Sequence, residues 1–206
     1  MAFKPKESTG TFDRDMIPEG PQEAYCYGVV DCGTHARKPY LGVEKNPAPL
    51  VMLFFEFPEH TKVFKEERGE EPMVKSQRYT FTSDEKGNLS KMLKGWVGDI
   101  ATVDFAKLPG TPASITIKHE ASKTDATKVY DNMVSISPLS PKLVPLMKPM
   151  TNKPMVFSID DDGFDSEAFS SLYDWVKTFI AESAEYKEYL SGPKSAKQDN
   201  DVPFNE

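Results

Sequence analysis

The stretch "PMVKSQRYTFTSDEKGNLSKMLKGWVG", residues 72–98, changes its hydrophobic period partway along. Over 72–82 it is rich in β-formers and reads as a strand, with Lys75, Gln77, Tyr79 and Phe81 on one face and Val74, Ser76, Arg78 and Thr80 on the other. From Thr82 the spacing of Leu89, Met92, Leu93, Trp96 and Val97 is helical, and Thr82-x-x-Glu85 offers a capping box. A strand followed by one amphipathic helix of about three turns is expected.

Upstream, "EAYCYGVVDCG" (23–33) alternates Cys26, Gly28, Val30 and Cys32 against Tyr25, Tyr27, Val29 and Asp31, with the glycine marking a bend or bulge. "LVMLFFEFP" (50–58) sets Val51, Leu53, Phe55 and Phe57 as a core face opposite Met52, Phe54 and Glu56. Downstream, 113–120 and 127–137 read as two further strands joined by "ASKTDA". The order β-β-β-α-β-β predicts a mainly β chain with helices, in the form of an OB-fold: a five-stranded Greek-key barrel with its helix between strands 3 and 4. A β-sandwich with an appended helix gives a similar pattern.

Around this core (23–138) the chain divides into a flexible N-terminal arm (1–22), a Pro-rich strap with a possible short strand (139–163), a C-terminal helix (164–190) and a disordered acidic tail (191–206). The helix carries the stripe Phe169, Leu172, Val176, Phe179 and Ile180, with Asp165 as its cap. The two connections 34–49 and 59–71 read as charged loops, placed where such barrels carry their binding loops.

The formal charge of -7 is unevenly spread. From Val156 onward there are 12 acidic residues and 4 lysines, whereas residues 1–155 hold 21 basic and 20 acidic ones, so the acid is segregated from the core. OB-folds bind single strands with a positive groove and aromatic faces on which bases stack. The candidate contacts are Tyr25, Tyr27, Phe54, Lys75, Arg78, Lys118 and Lys128 on the strands, with Arg37, Lys38, Tyr40, Lys62 and Lys65 in the loops. Each aromatic has a second reading, since Tyr25, Tyr27 and Phe54 can instead pack beneath the C-terminal helix. A lone strand lysine, likewise, often only protects an edge.

Cys26 and Cys32, six apart on one strand, point to the same side and cannot form a normal disulfide, so both are expected as reduced, buried residues. No apolar run approaches the roughly 18 to 20 residues that span a bilayer, and a cytoplasmic protein is expected. His35, His60 and His119 are too scattered for a metal site, and Cys32-x-x-His35 is half a zinc set. The acidic run at 160–162 lacks the spacing of a calcium loop. With no phosphate loop or nucleophile elbow either, no enzyme and no cofactor are expected.

The ending "DNDVPF" (199–204) resembles the acidic Asp-Asp-Asp-Ile-Pro-Phe tip of bacterial single-stranded DNA-binding proteins, a docking peptide for replication and repair partners. Residues 76–96 and "VYDNMVSISP" (129–138) resemble the replicative single-stranded DNA-binding proteins of tailed bacteriophages, OB-fold proteins with acidic tails. The resemblance implies sequence-independent binding and protection of single-stranded DNA in phage replication and recombination. It also implies a tail, through Asp199, Asp201, Val202, Pro203 and Phe204, that recruits phage or host proteins or competes for the DNA groove. Two departures stand out. Asn205 and Glu206 follow Phe204, where the bacterial peptide ends in a recognised carboxylate, and Val202 replaces isoleucine. The alternative is a module without DNA affinity that docks a partner through its C-terminal helix and tail.

Overall fold

The computed structural model describes residues 15–125, 127–159 and 164–191. Six strands form one sheet: β1 (Gly20–Tyr40), β2 (Val43–Lys65), β3 (Gly69–Thr80), β4 (Pro112–Ala121), β5 (Val129–Pro138) and β6 (Met155–Phe157). Their order is β3-β2-β1-β4-β5, all antiparallel, with β6 added parallel to β1. Helix α1 (Asn88–Trp96) lies between β3 and β4, and α2 (Ser166–Ser171), α3 (Asp174–Ile180) and α4 (Ala184–Ser191) follow β6. The chain is mainly β, and among the described residues no ladder joins β3 to β5, so the sheet is not closed.

Both stretches expected as loops are β-ribbons. β1 and β2 continue through 34–49 to a two-residue turn at Leu41 and Gly42, whose φ values of 51° and 77° match the doubly left-handed hairpin turn that suits strand twist. Pro39, Pro47 and Pro49 disguise this ribbon in the sequence, because proline removes ladder donors. β2 and β3 likewise pair through Thr61–Lys65 and close over a single 3-10 turn, Glu66–Arg68. The expected arm also enters the fold earlier than 23: β1 starts at Gly20, and Ile17 is fully buried.

The helices differ from expectation too. α1 starts at Asn88, not Thr82, because residues 84–87 form a turn closed by the Gly87 N–H donating to the Asp84 carbonyl at 2.8 Å, and Thr82 makes only a local contact with the Asp84 N–H. Leu89, Leu93 and Trp96 are buried as their spacing required. The C-terminal helix is three short ones. Asp165 caps α2 by accepting the Glu167 and Ala168 N–H groups, the backbone is extended at Leu172, and the buried Ser183 hydroxyl accepts the Tyr186 N–H to restart the chain as α4. Broken in this way, the segment follows a twisted sheet that one straight helix would leave, and it buries Leu172, Val176 and Ile180.

The sheet therefore has apolar clusters on both faces. Ala24, Cys26, Val29, Val51, Leu53, Phe55 and Phe57 pack inside with α1, while Tyr27, Val30, Cys32, Met52 and Phe54 pack outside under α2–α4. A shift of register between Cys26 and Gly28 moves β1 from one alternation to the other. This bulge corrects the reading of the cysteines: Cys26 faces the inner cluster and Cys32 the outer. Both are free and buried, and burial pushes each thiol up to about 12, so neither is a thiolate at neutral pH.

At the bulge, a Cβ on Gly28 would lie 3.2 Å from both Cβ and Cδ2 of the buried Phe54, and 2.7 Å from Met155 Cε, the yielding end of its side chain. Gly28→Val is expected to lower the unfolding free energy by about 2 kcal/mol, through overpacking between β6 and β2. Urea melts of the two proteins would show it, and equal midpoints would refute it.

Two buried carboxylates pin distant segments. Glu56 is fully buried in β2 and accepts the backbone N–H groups of Thr151 and Asn152 and the Asn152 side-chain amide, all at 2.7 Å, so it anchors the Pro-rich strap. Asp131 in β5 accepts the Ile17 N–H at 3.0 Å and pairs with Lys75 of β3, bridging the open edges of the sheet by side chains where backbone pairing is absent.

Candidate nucleic-acid interface

The face of β3 that carries Val74, Ser76, Arg78 and Thr80 points outward, as the alternation predicts. Next to it, however, Phe54 and Tyr27 are each only 2% exposed. The bulge turns Tyr27 onto the outer face of β1, where α3 covers it together with Phe54. The two rings meet edge-on at 5.9 Å, and the Tyr27 hydroxyl shares a 3.1 Å hydrogen bond with that of Tyr173. Burial, then the Tyr173 hydroxyl, hold the Tyr27 phenol far above its ordinary range, so it stays neutral. The expectation of solvent-side rings at 27 and 54 is corrected: both belong to the outer core.

The exposed aromatics are others. Trp175 (52% exposed), Phe64 (50%) and Tyr173 (40%) rim a recess of about 400 Å³ floored by Tyr27 and Phe54. Trp175 and Tyr173 each rest against Phe54 at 6.0 Å between ring centroids. Past Ser76 and Trp175 the track continues into a second recess of about 310 Å³ bounded by Met52, Arg78 and Phe179. There the Arg78 guanidinium lies 4.6 Å above the Phe179 ring, which stacks at 4.1 Å on His35. His35 is itself buried, with Nε2 2.9 Å from the Cys32 carbonyl, so the Arg78 head sits on a supported aromatic pile.

The strand pairings sort the cations into two ends. The β2–β3 ribbon and the β4–β5 turn extend from the same end of the sheet, where Lys62, Lys65, Lys118 and Lys128 lie, and the β1–β2 ribbon extends from the other with Arg37, Lys38 and Tyr40. The outer face of β3 joins them over ~40 Å for a strand of 12 residues. Several of the expected contacts are already neutralised: Lys62 by Asp15 at 3.1 Å, Lys118 by Glu120 at 3.6 Å and Lys128 by Asp125 at 3.1 Å. Lys75 points inward to Asp131 and is corrected from a surface cation to a structural one. Arg37, Lys38, Lys65 and Arg78 make no salt bridge to a described carboxylate. Tyr25 is half-buried at the point where β1 passes from β4 to β2.

Phe64, Tyr173 and Trp175 escaped the sequence reading, although Phe64 and Trp175 each left a signal. Trp175 lies off the buried Leu172, Val176, Ile180 stripe, so the helical period places it toward solvent. Val63-Phe64 is an apolar pair inside a charged stretch. The tail residues Asp199, Asp201, Val202, Pro203 and Phe204, like the acidic run 160–162, lie outside the described residues. Among the described residues no helix is long and apolar enough to cross a membrane, and no three His, Cys, Asp or Glu side chains gather as a metal site.

No family model, curated protein or solved structure matches this chain.

Proposed function

We propose that this protein binds single-stranded DNA without sequence preference, by stacking bases on Trp175, Tyr173 and Phe64 and holding phosphates with Arg78, Arg37, Lys38 and Lys65. The observation that carries the reading is the row of three exposed aromatics and a ring-supported arginine along one sheet face. Such a row suits any base, because every base has a π-face. The strand order β3-β2-β1-β4-β5, with α1 between β3 and β4, supports it, being the order that an OB barrel has when opened between strands 3 and 5. In this reading the protein is non-enzymatic and acts in phage replication or recombination, with the acidic tail recruiting partners.

Titration of the full chain with an oligo-dT of about 20 to 30 nucleotides, followed by tryptophan emission, tests the reading. Trp96 is 5% exposed and Trp175 is 52% exposed, so quenching reports on Trp175. Binding is expected to exceed that of the matching duplex and to fall steeply from about 50 to 200 mM salt as counterions are released. Equal affinity for duplex, or no quenching at low salt, would overturn the proposal in favour of a docking module.

A further inference from the structure

A groove of about 990 Å³ runs along the open seam of the sheet. Gln77–Thr80 of β3 form one wall and Met133–Ile136 of β5 the other, with Lys91 and Met92 of α1 and Arg37 of the first ribbon beside them. Among the described residues no backbone ladder crosses from β3 to β5. Directly paired strands lie about 4.8 Å apart, and with no ladder between β3 and β5 the seam is wider than that. Each wall is the outer edge of a strand paired only on its far side, β3 to β2 and β5 to β4. About half of its backbone N–H and C=O groups are therefore turned toward the gap.

The direction of the walls is also suited to insertion. β3 and β5 both run parallel to β1, each being antiparallel to a strand that is itself antiparallel to β1. A single strand entering antiparallel to both forms the favoured ladder on both sides at once. Side chains of such a strand alternate between an apolar interior, Tyr79, Phe81, Met92, Met133 and Ile136, and an outer rim where Arg37 and Lys91 face one carboxylate, Asp84. Asp84 is already engaged by the Lys86 N–H at 2.9 Å.

We infer that the β3–β5 seam is a strand-addition site that takes an extended peptide with alternating apolar and acidic residues from a partner protein. An extended polypeptide fits better than a nucleic-acid strand, because only a peptide offers donors and acceptors at ladder spacing to both walls. The chain's own "DNDVPF" is a poorer occupant, since Pro203 has no N–H for either wall. The seam shares Arg37 and Arg78 with the proposed phosphate path, whereas Lys91 serves only the seam.

Fluorescence polarisation of the full chain with a labelled heptapeptide alternating Glu and Val tests this. Two further probes carry N-methyl groups on the odd or the even residues, and a fourth has Lys in place of Glu. Saturable binding is expected, weakened at least tenfold by either methylation pattern, lost with the Lys peptide, and weakened severalfold by Lys91→Glu with oligo-dT affinity unchanged. No binding, or binding indifferent to methylation, would overturn the inference. So would binding seen only after removal of residues 192–206, which assigns the seam to the chain's own tail. A dimer dissociated by Lys91→Glu would assign it to a second copy, and loss of oligo-dT affinity in that variant without peptide binding would make it a nucleic-acid groove.

Discussion

Lys75→Met is expected to lower the unfolding free energy at pH 7 by about 3 kcal/mol, the range for breaking a buried ion pair. The methionine keeps the stem of the side chain but removes the ammonium, leaving the Asp131 carboxylate, 2% exposed in its side chain, with the Ile17 N–H as its described polar partner outside its own strand. The cost falls on the seam between β3 and β5, where no backbone ladder shares the load. Lys75→Met combined with Asp131→Leu should recover only part of the loss, because the apolar pair carries no charge-desolvation penalty but leaves the buried Ile17 N–H without its acceptor.

The pH dependence gives this prediction a sign. Burial raises the Asp131 carboxyl, but the Lys75 ammonium and the Ile17 N–H outweigh it and hold the group below its ordinary value of 3.8. A depressed carboxylate contributes stability that is complete above its unfolded pKa and is lost as pH falls through the folded one. The native protein should therefore lose this contribution only below about pH 4. In Lys75→Met the unpaired carboxylate is raised by burial, so acidification from pH 7 relieves the variant and narrows its gap to the native protein. Urea melts at pH 7 and pH 4 measure both effects. A gap that stays constant or widens on acidification would refute the assignment.

Trp175→Ala together with Phe64→Ala is expected to weaken oligo-dT binding by about 10²-fold, from base stacks worth about 1–3 kcal/mol each. Both rings are half exposed, so the fold should lose far less than the complex does. Tyr27→Phe serves as the control. It removes a hydroxyl bonded to Tyr173 but leaves the exposed rings in place, and affinity should hold. Electrophoretic shifts at fixed salt would check the series, and an unchanged affinity in the double variant would exclude the track as the binding surface.

Much of the core was legible along the chain. The alternation in 50–58 and 72–82 identified the buried Val51, Leu53, Phe55, Phe57 and Tyr79, and the helical spacing identified Leu89, Leu93 and Trp96. Asp165 was readable as a cap, because capping depends on chemistry within three residues. The site was less legible. Phe54 and Tyr27 have the composition of stacking platforms, and only the packing of α3 shows that they are the floor beneath Trp175 and Tyr173 instead.

The sequence by itself determined the element order, the inner core face and the segregation of acid toward the end of the chain, since each depends on residue type and local period. Tertiary structure alone decided which way β1 faces after its bulge, how far both ribbons extend, where α2–α4 break, and that Lys75 reaches across to Asp131. The physical reason is range. A one-residue slip in register inverts every side chain beyond it. A helix on an outer face can cover aromatics as distant in sequence as Tyr27 and Phe54, and no local pattern records either event.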